Sequence, residues 1–145
     1  MRCFEDFRVG DVYRLGMWKV GEQDIVEFAS MYDPQPRHTD VELGVTASGW
    51  HVAGIFMRLY VDAVLRDSAA EVSPGLEHLR WLAPVLPGAV LTGSVTVMET
   101  QPAMSRPDCG IVQQRGELIN EDGNPVLRVD FYGMIKRSSA IGSAP

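Results

Sequence analysis

The stretch MYDPQPRHTD, residues 31–40, sets an acid, Asp33, and a histidine, His38, on either side of Pro34 and Pro36. A carboxylate and an imidazole held near each other can share a water and pass its protons to and from a substrate, which is general acid–base chemistry. Prolines fix φ and so limit how far the two side chains wander. The same residues also suit a plainer role. Asp-Pro commonly opens a turn, and a histidine in a polar loop needs no chemical task. On the residues alone both readings stay open.

Chemistry on that stretch requires flanking elements that hold it. Upstream, GEQDIVEFASMY carries Ile25, Phe28, Ala29 and Tyr32 at helical spacing, with Glu22 and Asp24 in the first turn, where the helix dipole favours acids. Pro34 ends this helix, because a residue preceding proline is pushed out of the helical region. Downstream, Ser48 is placed to cap a longer helix from Gly49 to about Leu65. Val52, Ala53, Phe56, Leu59, Tyr60, Ala63 and Val64 make that helix apolar over much of its circumference, so something must wrap around it.

The wrapping follows in sequence. DVYRLGMWKV near the start reads as a strand, and from residue 76 the period becomes two in LEHLRWLAPV, AVLTGSVTVMET, GIVQQRGELIN and PVLRVDFYGMIKR. EDGN between the last two predicts a tight hairpin turn, and the prolines of WLAPVLPG a connection between strands. Strand, two helices, then a meander is an α+β order in which a curved antiparallel sheet wraps a central helix. The 145 residues suit one domain, 1–145, with a frayed tail over 138–145.

Composition narrows the function classes. A net charge of -6 opposes non-specific binding to nucleic acid or anionic membranes. Arg58, Arg66, Arg80, Arg106 and Arg115 are scattered, yet any few of them would serve a phosphorylated ligand. Cys3 and Cys109 form no CxxC, and the three histidines show no metal-binding spacing, so neither disulfides nor a metal are expected. No run nears the ~18 apolar residues of a membrane span, and MRCFEDFRVG lacks the apolar core of a signal peptide. The expected location is cytoplasmic.

Taken in order, FEDFRVGD, DPQPRHTD, ASGWH, LRWLAPVLPGAVLTG and SRPDCGIV resemble the MaoC-like dehydratases, relatives of the (R)-specific enoyl-CoA hydratases, from about Phe4 to Lys136. The resemblance implies a hot-dog fold, an antiparallel sheet around a long helix, and a homodimer with acyl-thioester pockets near the subunit interface. The family pattern D-x-N-P-x-H falls on Asp33, Gln35, Pro36 and His38, with Gln in place of Asn. It implies that Asp33 and His38 are catalytic and that the backbone of Gly49 supplies an oxyanion donor at the start of the central helix. Only TDVELGVTAS separates His38 from Gly49, whereas relatives commonly carry a longer segment with an aromatic-Gly-Gly element.

The expected activity is a hydro-lyase that reversibly hydrates an enoyl thioester, with no cofactor beyond the coenzyme A or acyl carrier protein bearing the substrate. Gln35, Trp50, His51 and Met57 are expected to line the substrate, although core packing equally suits His51, Met57 and the tryptophans. His78 is expected to be structural. Two alternatives stand beside the hydro-lyase. A hot-dog thioesterase would need an acid near the thioester carbonyl, and the central helix has none before Asp62. A non-catalytic protein that binds acyl thioesters or a partner would accommodate the short link after His38.

Overall fold

The computed structural model describes residues 1–141. Among the described residues the strands are β1 (Val12–Lys19), β2 (Gly75–Trp81), β3 (Val90–Pro102), β4 (Cys109–Ile119) and β5 (Pro125–Lys136). They form one sheet in the order β1-β3-β4-β5-β2, with every neighbouring pair antiparallel. The period of two in the sequence is the burial pattern of the sheet: along β4, buried and half-buried residues alternate from Gly110 to Ile119.

Among the described residues the α-helices are α1 (Glu22–Tyr32), α2 (Pro36–Thr39) and α3 (Gly49–Ala63); α3 packs against β1, β3 and β4, and α1 packs against α2 and α3. α3 buries Val52, Ile55, Phe56, Leu59 and Tyr60, which join one core with Leu91, Val95, Val112, Leu118, Leu127 and Ile135 of the sheet. Its apolar breadth is explained by this embrace. The fold is the hot-dog arrangement, an α+β domain with an antiparallel sheet around a long central helix. Gly116 of β4 allows the close approach, because a Cβ there would run into the ring of Phe56.

Several local expectations change. α3 ends at Ala63, and Leu65–Asp67 continue as a separate 3-10 turn. Ser48 precedes α3 but makes no side-chain cap; its hydroxyl has another partner, described below. EDGN is not a two-residue primed turn. The strands separate after Ile119↔Pro125, and Asn120 Oδ1 accepts the N–H groups of Asp122 and Asn124, with only Gly123 of this loop at positive φ. Tyr32, expected on the apolar face of α1, is 68% exposed, while Ile25 and Ala29 carry the burial. Of the tail, Ser138–Ala140 form a 3-10 turn anchored by the Ser138 N–H on the Glu5 carboxylate; residues 142–145 lie outside the described residues.

β1 and β2 are the edge strands, and both carry a register irregularity, β1 between Arg14 and Gly16. The register of β2 on β5 shifts between Glu77 and Arg80, and His78 there has a left-handed φ of 52°. The core contact at Gly116 yields a direct test. Gly116→Ala should lower stability by about 1–3 kcal/mol through overpacking, and adding Phe56→Leu should restore part of the loss, both measured by urea unfolding.

Candidate active site

The segment singled out in the sequence folds as two pieces of helix with a sharp break. α1 stops at Tyr32; Asp33 is non-helical (φ -152°, ψ 67°), and Pro36 opens α2 at its first turn. Proline suits that position, where its missing N–H costs nothing. The one-turn α2 turns His38 inward, and the ring is buried beside Asp33 at the end of α1.

Asp33 and His38 do meet. His38 Nε2 lies 3.4 Å from Asp33 Oδ2, and His38 Nδ1 lies 2.6 Å from the carbonyl oxygen of Thr46. A carbonyl only accepts, so Nδ1 carries a hydrogen and donates it there. In the neutral ring Nε2 is then the acceptor. The Nε2 edge of the imidazole thus faces the Asp33 carboxylate.

The carboxylate is held from two sides. Ser48 Oγ donates to Asp33 Oδ2 at 2.7 Å, and Gln35 Nε2 donates to Oδ1. Arg37, which can only donate, gives a hydrogen bond to Gln35 Oε1 at 2.8 Å and so orients the Gln35 amide. Gln35 therefore acts on Asp33 and stands in the site through it. These bonds, Gln35 first and Ser48 second, hold the Asp33 carboxyl below its ordinary range. A depressed folded value means that Asp33 favours the fold above its unfolded pKa, and that this contribution is lost as pH falls through the folded one.

The short link resolves into tight geometry. A 3-10 turn at Val41–Leu43 and a bend at Gly44 (φ 81°) carry the chain back, and the Thr46 N–H donates to the Arg37 carbonyl. Ser48 is then fully buried on Asp33, with Gly49 next to it. Gly49 is the first residue of α3, where backbone N–H groups have no intrahelical acceptor. Its carbonyl accepts from Trp81 Nε1 at 2.7 Å, and a Cβ on Gly49 would lie 2.5 Å from the indole. The glycine is thus required by contact with the indole.

The other expected substrate residues divide. Trp50 and Met57 line an apolar cavity of about 420 Å³ between α3, β2 and β5, together with Phe56, Leu76, Leu79 and Phe131. His51 turns the other way. It stacks on Phe28 of α1 (centroids 4.8 Å apart, planes at 14°) and lines an open cleft with Trp18, Asp24 and Arg58. Burial holds its imidazole below the ordinary histidine range, against the pull of Asp24.

Four of the five arginines available for a phosphorylated ligand are already paired. Arg58 and Arg66 both bind Asp62, Arg106 binds Asp108, and Arg115 binds Asp130. Among the described residues no group of three or more His, Cys, Asp or Glu is placed to hold a metal ion, and no helix is long and apolar enough to cross a membrane. Sequence reasoning missed three site contacts: the hydroxyl of Ser48, the Thr46 carbonyl and the Trp81 indole. Only Ser48 had a signal, a hydroxyl directly before the helix-start glycine; the other two depend on how distant segments pack.

A hot-dog domain with a half-buried acid beside a buried histidine, tied through Ser48 to the start of its central helix, is the class that fold and site define. The chain is 36% identical to a MaoC-like dehydratase from Rhodospirillum rubrum, over 94% of this chain and 98% of that one, with a TM-score of 0.87. It belongs to the MaoC-like dehydratase family. The uncharacterized protein YdeM of Bacillus subtilis is 27% identical over 92% of this chain and 98% of its own length. The R-hydratase PhaJ1 of Pseudomonas aeruginosa shares the fold, with a TM-score of 0.76 at 21% identity over 94% of this chain and 86% of that one. No family model matches.

The hydrogen bonds on Asp33 are open to titration. Replacing Gln35→Leu should raise the Asp33 midpoint toward the ordinary aspartate value of about 3.9, and Ser48→Ala should raise it less. Carboxyl-carbon NMR across acidic pH reads both; an unmoved midpoint in Gln35→Leu would remove Gln35 from the site.

Proposed function

We propose that the protein is a hydro-lyase that reversibly adds water to an enoyl thioester, giving a 3-hydroxyacyl thioester carried on coenzyme A or an acyl carrier protein. The observation that carries this reading is the placement of His38 Nε2 3.4 Å from the Asp33 carboxylate, with Nδ1 of the same ring held by the Thr46 carbonyl. A water beside the two groups is within reach of either, so that one can take its proton and the pair can return one. Both groups are set beside the first turn of α3.

In the forward direction the pair takes a proton from the water as its oxygen bonds to C3 of the enoyl group. Electrons move through the conjugated system to the thioester oxygen, where the Gly49 N–H at the positive end of α3 stabilises the negative charge. The pair then returns a proton to C2, so that one water has been added and the side chains are restored. No redox partner is needed. The acyl chain takes the apolar cavity that begins at Trp50, and Met57 adjusts to it.

The protein works as a homodimer in this proposal, since Trp50, Met57, Leu76 and Trp81 leave an apolar face exposed along α3 and β2. The thioesterase alternative gains nothing from the site. Asp62 lies near the far end of α3 from Gly49, held by Arg58 and Arg66.

With short and medium enoyl-CoA substrates, loss of the conjugated absorbance without thiol release is the expected result; thiol release would mean a thioesterase instead. Asp33→Asn and His38→Gln should each lower turnover by about a hundred- to ten-thousand-fold with the circular dichroism spectrum unchanged. Near-parental turnover in either would sink the assignment. Filling the cavity with Ala53→Trp should raise KM for medium chains much more than for short ones.

A further inference from the structure

We infer that Trp81 is a positioning residue for the oxyanion site, holding the first turn of α3 in place from the neighbouring edge strand. The inference rests on the hydro-lyase reading of Gly49 and adds to it a residue outside the Asp33/His38 pair. Two contacts converge on one glycine: the indole N–H donates to the Gly49 carbonyl at 2.7 Å, and the indole ring occupies the place a side chain at 49 would take. The ring is itself set by Trp50, edge-on at 5.3 Å between centroids.

The geometry gives these contacts a specific effect. A peptide unit is planar, so fixing the Gly49 carbonyl also fixes the N–H of Trp50, which belongs to the same unit and points the opposite way. The ring pressed on Cα limits rotation of the unit before it, which carries the Gly49 N–H. Glycine has the widest conformational freedom of any residue. Without an external hold, the first residue of a helix is where fraying begins. On the other side, Ser48 is tied to Asp33. Gly49 is thus gripped between an anchor on the acid and an anchor on β2, and its N–H keeps one direction relative to the pair.

Hydrogen bonding to a carbonyl also polarises its peptide unit, which strengthens the Trp50 N–H as a donor. A packing role alone would need the ring and not the N–H. The two functions separate by substitution: Trp81→Phe keeps an aromatic ring against Gly49 and removes the donor, and benzothienylalanine placed at 81 keeps the full indole shape without the N–H.

The test combines steady-state kinetics on an enoyl-CoA with amide hydrogen exchange of Gly49 and Trp50 in the ligand-free protein. Both replacements should lower kcat by about tenfold, the size of one neutral hydrogen bond, while KM changes by less than about twofold and the melting temperature holds. Exchange at Gly49 and Trp50 should accelerate by a similar factor. Parental kcat and exchange in the benzothienyl variant would overturn the role of the N–H while leaving the hydro-lyase reading intact. An inactive parent would overturn the hydro-lyase reading and this inference together, and equal loss of kcat and stability would reduce Trp81 to packing.

Discussion

Everything in this domain depends on holding α3 against the curved sheet. The helix is apolar over most of its girth, so it is stable only where strands cover it, and the sheet curves over the core that the helix supplies. Gly116 sets how closely Phe56 approaches β4, and the helix depth follows from that contact. Because α3 is rigid, its N-terminus is a fixed point in space. The backbone at Gly49, the hydroxyl of Ser48 and the carboxylate of Asp33 are all referenced to it.

The site is a balance of acceptors and donors more than a charge pair. Asp33 receives hydrogen bonds from Gln35 and Ser48, and His38 spends its Nδ1 hydrogen on Thr46. What remains is the Nε2 edge of His38 beside the Asp33 carboxylate, 3.4 Å apart. The exchange of Asn for Gln at position 35 keeps this balance. The longer amide still reaches Asp33, and Arg37 decides which end of it points there.

Much of this was legible in the chain. The period change at residue 76, the apolar circumference of the second helix and the stop at Pro34 foretold the sheet, α3 and the end of α1 because each reflects local stereochemistry or burial. Asp33 and His38 were legible as a pair only through the order of several motifs, since either residue alone also fits a turn. The one-turn α2 leaves no signal in the sequence, for four residues carry no periodicity. A serine before a helix normally caps it, but here the half-buried Asp33 carboxylate takes the Ser48 hydroxyl instead. For His51 the sequence leaves packing and substrate contact both open, and direction decides between them. Helical position places it near the substrate in sequence, but its ring turns toward Phe28 on the opposite flank.

α2 has a further consequence. One turn of helix cannot sustain itself in water, since nucleation costs more than a single turn returns. Its order is borrowed from the Thr46 carbonyl on His38 and from the Thr46 N–H on Arg37, both supplied by the return of the short link. The link therefore behaves as a splint. Its brevity shortens the loop that must be closed to bring Thr46 and Ser48 onto the pair and so lowers the entropy spent on ordering them.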